Sequence, residues 1–149
     1  MTDNREIQVT DIKGISIGHA SNQDAGTGVT VLYFPNGAKA GCDISGGGPA
    51  SRETPLTSPL TADNPINAIV LSGGSAYGLA ASDGVMTCLE EHGIGYPTGL
   101  ALVPLVFMIW AIKVQRLGRM QRWEEKQQKM HLPAVIQEWE ISEQAAAQR

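Results

Sequence analysis

The chain has 149 residues, which suits one domain with a real core. A net charge of −4 and a pI near 5.3 give no general case for nucleic-acid binding. Its 2 cysteines and 3 histidines (His19, His92 and His131) have no zinc spacing, so no metal or disulfide framework is expected.

The opening Met-Thr-Asp-Asn-Arg-Glu has no apolar stretch, so it reads as no secretory signal. Ile7–Ile17 carries two short apolar stretches and predicts a strand or two short ones. The polar, glycine-bearing 21–28 segment predicts a turn. Val29–Phe34 is a strong β run, Pro35-Asn36-Gly37 reads as a tight turn, and Ala38–Ile44 reads as a second strand. Together they predict an antiparallel hairpin over Val29–Ile44. Cys42 then falls in a strand and Cys88 in a helix, which suggests buried thiols in a reducing cytoplasm. Ala50–Pro65 predicts a long loop. Its Arg52 and Glu53 read as solvated surface charges, although long loops often carry function.

The most informative stretch is Asn64–Gly93. Ala68–Leu71 is a short apolar run that predicts a buried strand. Ser72-Gly73-Gly74 breaks it, and Ser75 is placed to cap a helix over Ala76–His92. Leu79, Met86 and Leu89 share a face of that helix, with Val85 and Cys88 beside it, and Gly93 supplies a stop. Gly84 inside the helix should cost about 1 kcal/mol against alanine, which suggests a backbone packed tightly against a neighbour. A strand, a glycine turn and a helix N-terminus can hold an anion or a developing negative charge. The same arrangement is also an ordinary strand-to-helix connection. Dinucleotide, nucleophile-elbow and phosphate-loop patterns all fail here, because Ser75 and Tyr77 stand where glycines are needed and no Gly-Lys pair occurs. Gly95–Gly99 is a turn, and Leu100–Val106 is apolar with Pro104 inside it.

Composition changes abruptly near Val106–Phe107. Of 17 glycines only Gly118 lies beyond Val106, whereas all 3 tryptophans do, with most of the basic residues.

Four separated blocks occur in order: Gly26-Thr27-Gly28-Val29-Thr30-Val31, then Gly46–Thr54 (Gly-Gly-Gly-Pro-Ala-Ser-Arg-Glu-Thr), then Leu71–Leu79 (Leu-Ser-Gly-Gly-Ser-Ala-Tyr-Gly-Leu), then Val103-Pro104-Leu105-Val106. Over roughly residues 8–106 they resemble the first part of the L-aminopeptidase/D-esterase family, which includes β-aminopeptidases and nylon-oligomer hydrolases. The resemblance implies an α/β fold, here an incomplete piece of an αββα sandwich of the N-terminal-nucleophile-hydrolase kind. It implies self-cleavage that frees a Ser or Thr whose own amine acts as base. It also implies peptide or amide substrates, homo-oligomers among intact relatives, and no cofactor. None of the family's catalytic residues can be placed on this chain. The tyrosine expected after Val106 is replaced by Phe107-Met108-Ile109-Trp110. Only scaffold carries over, chiefly Gly73, Gly74 and Ser75, which would border the pocket.

The sequence therefore divides into an aminopeptidase-like part, 1–106, and a tail, 107–149, expected to be helical or disordered. The tail has two readings. Leu100–Ile112 is almost wholly apolar and is followed by Lys113, Arg116, Arg119 and Arg122, as in a membrane anchor or a small interaction protein. Yet the run is shorter than the roughly 17–25 residues a span needs. In the other reading the tail is translated out of frame. Joining the third base of each codon to the first two of the next, Met108–Ile109 forces Asp and Trp110–Ala111 forces Gly. The neighbours then permit Tyr-Asp-Leu-Gly-Tyr-Lys, which resembles the family's next strand with its tyrosine. Later stretches permit further family-like strings. On this reading 107–149 was never selected to pack, and Phe107–Ile112 would be an exposed apolar patch.

Overall fold

The computed structural model describes residues 8–23, 26–48, 50–61 and 64–110. Five strands form one mixed sheet, β1 (Ser16–Asn22), β2 (Thr27–Ala38), β3 (Ser51–Arg52), β4 (Ile66–Ser72) and β7 (Val106–Trp110), while β5 (Tyr96–Pro97) and β6 (Leu102–Val103) pair separately. Their spatial order is β1-β2-β4-β7-β3. β1, β2 and β4 are antiparallel neighbours, β4 and β7 run parallel, and β3 lies antiparallel on the outer edge of β7.

Side-chain alternation explains why one face of this sheet holds the core. Val31 lies beside Val70, and Val70 beside Met108, so three apolar residues form a row across β2, β4 and β7. Tyr33, Ala68 and Val106 form the adjacent row. The helix α1 (Ala81–Glu91) packs over these rows, with Val85, Cys88 and Leu89 in the same buried cluster. The other face carries Leu32, Phe34 and Ile69 half-buried and Leu71 at 42% exposure. The predicted strand at Ala68–Leu71 is thus present but buried on one face only.

The predicted helix is present as two pieces. A 3-10 helix covers Ser75–Ala80 and passes directly into α1. The helix ends as its Gly93 predicts. Gly93 takes φ +69°, its N–H donates to the Glu90 carbonyl, and the Ile94 N–H donates to that of Leu89. These are the two bonds of a Schellman stop, and they satisfy carbonyls the helix leaves unpaired.

Several expectations are corrected. The hairpin over Val29–Ile44 does not form. β2 continues to Ala38, and its hairpin partner is β1, with Asn22 facing Thr27. Pro35-Asn36-Gly37 is absorbed in an irregularity of β2, where Tyr33 to Ala38 spans only Ala68 to Ile66 on β4. A proline without an N–H is tolerated at such a bulge, and Gly37 adopts φ +69° there. Residues 39–48 take no helix or strand, and Cys42 is exposed rather than buried. Nor is Gly84 packed against anything, since a Cβ built there meets nothing within 4 Å.

The apolar segment after the helix also differs. β5 (Tyr96–Pro97) and β6 (Leu102–Val103) form a small separate ribbon with Leu100 fully exposed near its tip. The core strand begins only at Val106. It does not stop there: Phe107–Trp110 is neither helical nor unpaired, because β7 continues beside β4 as far as Ser72↔Trp110. Met108 has 0% exposure. Val106 and Met108, alternate residues of the strand, both enter the core. The rest of the tail lies outside the described residues. Among those described, no helix is long and apolar enough to cross a membrane.

Two substitutions separate these assignments. Gly84→Ala should raise stability by roughly 0.5–1 kcal/mol, since it removes backbone entropy with no steric penalty. Met108→Ala should cost about 2–5 kcal/mol, as a buried cavity does. Denaturant midpoints measure both, and a silent Met108→Ala would mean that β7 is not part of the core.

Candidate functional site

The three scaffold residues singled out in the sequence lie together at the carboxyl end of β4. That is where α/β sheets place ligands, beyond strand ends beside a crossover. Gly73 leaves the strand with its N–H donating to the Gly28 carbonyl at 3.0 Å. The Ser72 hydroxyl donates to the Gly73 carbonyl at 3.0 Å. Gly74 takes φ +100°, in the left-handed region that favours glycine. It, rather than Ser75, occupies the cap position of the 3-10 helix, with no side-chain cap bond. Ser75 is the first residue of that helix. The capping role read from Ser75 is therefore corrected, because the sharp turn is made by backbone geometry that only glycine adopts cheaply.

Three close approaches hold this turn, two to backbone carbonyls and one to a side-chain hydroxyl. A Cβ on Gly28 would lie 2.7 Å from the Ala20 carbonyl, and one on Gly73 would lie 2.9 Å from Thr27 Oγ1. A Cβ on Gly78 would overlap the Gly73 carbonyl and sit 3.1 Å from Ser72 Oγ. So β1, β2, β4 and the 3-10 helix converge within contact distance of one another. Thr27 Oγ1 is buried at this junction and has no hydrogen-bond partner among the described residues. Sequence reading did not single out Gly28, Thr27 or Gly78 individually. The signal available was that all three fall inside the family-like blocks.

Among the described residues, the turn offers backbone groups but no nucleophile–base pair. Tyr77 is the titratable residue of the 3-10 helix, and it is exposed. The six-residue 3-10 helix is also a weaker anion site than the predicted α-helix N-terminus. Elsewhere, Cys88 and His92 lie one helical turn apart with Sγ and Nδ1 at 3.8 Å. They do not form an activated dyad. The His92 Nδ1–H donates to the Cys88 carbonyl at 2.7 Å, so that nitrogen is not free to act as base. Burial, and then the Glu91 carboxylate, push the Cys88 thiol up, away from the reactive thiolate. His19 Nδ1 pairs with Thr30 Oγ1 at 2.9 Å on the other face of the sheet. Among the described residues, no group of His, Cys, Asp or Glu is arranged to hold a metal.

Arg52 is a further correction. It is not a free surface charge. Its Nη1 donates to the buried Ser82 hydroxyl at 2.9 Å and pairs with the Asp83 carboxylate. Those residues start α1, 30 and 31 positions along the chain, a separation no local pattern reports. Glu53 is exposed and takes φ +61°.

The chain matches the family model described as Peptidase family S58 over residues 8–138. It belongs to peptidase family S58. This member is 42% identical over 106 residues to an uncharacterized aminopeptidase of Mycobacterium tuberculosis, covering 66% of this chain and 31% of that one. It is 43% identical over 106 residues to an uncharacterized aminopeptidase of Mycobacterium leprae, covering 66% and 29%. A 6-aminohexanoate-oligomer endohydrolase of Agromyces sp. is 38% identical over 103 residues, covering 68% and 26%. The S58 chain thus spans about a third or less of the length of these relatives.

Because the turn is held by overlapping backbone, Gly78→Ala in this S58 protein should cost roughly 1–3 kcal/mol through overpacking. Gly73→Ala should be milder, because a threonine hydroxyl yields more readily than a carbonyl. Thermal unfolding of the two variants measures the order. Equal, negligible shifts would show that the turn is loosely held.

Proposed function

We propose that this chain is the amino-terminal scaffold of a metal-free amide hydrolase that removes N-terminal residues from peptides, amides or β-peptides. The nucleophile would be a Ser or Thr freed by self-cleavage in a later part of such an enzyme, and Gly73, Gly74 and Ser75 would border the pocket. The observation that carries this reading is the glycine-locked turn at the end of β4, within the segment shared with aminopeptidases and a 6-aminohexanoate-oligomer hydrolase. The open face of the sheet, with its half-buried Leu32, Phe34 and Ile69, is where the second sheet of an αββα sandwich would lie. An exposed free Cys42 suits a reducing compartment, so the reading places the protein in the cytoplasm. Intact forms would assemble as homo-oligomers.

No Ser or Thr in this chain fits the family's self-cleavage pattern, so the 149-residue polypeptide by itself would be inactive. The finer reading is that codons after Val106 are translated out of frame. The codon constraints at Met108–Ile109 and Trp110–Ala111 support it. The family match reaching residue 138 opposes it.

One experiment tests both levels. The purified chain is assayed against aminoacyl anilides, amides and 6-aminohexanoate oligomers, and run on a denaturing gel. The expected result is no turnover and a single uncleaved band. The gene is then edited to enter the alternative frame before Phe107, which should yield a longer, self-cleaving and active product. Turnover with self-cleavage in the unedited chain would overturn the inactivity. An early stop in the alternative frame would overturn the frame reading alone.

A further inference from the structure

We propose that Arg52 is a latch that holds the two-residue strand β3 closed over the edge of β7. It does so by bridging β3 to the start of α1. Among the described residues, β3 pairs with β7 through Ser51↔Ile109 and Arg52↔Met108 alone. So short a strand is held weakly by its ladder alone, yet it is the element that covers the backbone edge of β7.

The Arg52 side chain supplies the missing attachment. Its guanidinium donates to Ser82 Oγ at 2.9 Å, and Ser82 is fully buried. The same hydroxyl donates to the Leu79 carbonyl at 2.7 Å, in the 3-10 helix that follows the Gly73–Ser75 turn. Asp83, in the first turn of α1, completes the contact as an ion pair with Arg52. A carboxylate there is also favoured by the helix N-terminus. The guanidinium therefore joins the edge strand to the start of α1, and the Ser82 hydroxyl carries the contact on to the 3-10 helix. A second attachment lies within the loop itself, where Ser51 Oγ and Thr54 Oγ1 are 3.0 Å apart. That contact stays within the loop and does not tie it to the helix. The Arg52 contact is what does so, and losing it would let β3 lift while the core beneath stays folded. The released edge of β7 would then present unpaired backbone groups for pairing with another strand.

Residue-resolved amide exchange on the full 149-residue chain tests this. Arg52→Ala and Asp83→Asn should each speed exchange of the β3 amides by about tenfold, the usual weight of one charge-assisted hydrogen bond. The Val85–Leu89 amides of α1 and the β2–β4 ladder should keep their parental rates. The double substitution should open β3 no further than Arg52→Ala alone, and Arg52→Lys should restore part of the protection. Unchanged β3 exchange in both single variants would overturn the latch. So would equal acceleration everywhere, which indicates global loss of stability. Independent, additive effects of the two substitutions would overturn it too, because partners in one contact do not add.

Discussion

Two parallel neighbouring strands cannot be joined by a tight turn, and β4 and β7 are such a pair. The chain must leave the end of β4, cross the sheet and return. Much of the molecule serves that crossing. Gly73 and Gly74 make the exit, the 3-10 helix and α1 make the crossing, the Schellman stop at Gly93 ends the helix, and the β5–β6 ribbon leads back to Val106. The crossing also buries the apolar stripe of α1 against the rows that run through Val70 and Ala68. At about 1.5–3 kcal/mol for each fully buried large apolar side chain, Val85, Leu89 and Met108 together account for several kcal/mol.

The same constraint positions the candidate site. Because β4 must end sharply, its last residues pack backbone against backbone with Gly28 and Gly78. Side chains larger than hydrogen do not fit there. The turn is consequently built from backbone N–H groups and carbonyls, with the Ser72 and Thr27 hydroxyls buried beneath it. The opposite sheet face differs, since Leu32, Phe34 and Ile69 are half-buried there and Leu71 is exposed.

Several features were legible in the residues themselves because their causes are local. The β4 run, the helix after the glycine turn and its Gly93 stop all follow from patterns within a few residues. The family was legible in the ordered blocks between Gly26 and Val106. The hairpin was misread because Pro35-Asn36-Gly37 is turn chemistry by any local rule. Only the pairing of β2 with both β1 and β4 shows that it is a bulge. The capping role of Ser75 failed for a related reason, since a left-handed Gly74 had already made the turn.

What the sequence by itself determined is the set of elements whose preferences lie in nearby residues: a β run at Val29–Phe34, a strand before Gly73, a helix through Val85 and Leu89, and the family they belong to. What only the tertiary structure decided is which strands pair, that Met108 enters the core, that Gly84 faces open space while Gly28 and Gly78 do not, and that Arg52 reaches Ser82 and Asp83. The physical reason is range. Backbone preference and side-chain periodicity act over a turn or a strand. Register, close approach and a hydrogen bond 30 residues away depend on where the whole sheet has placed each segment.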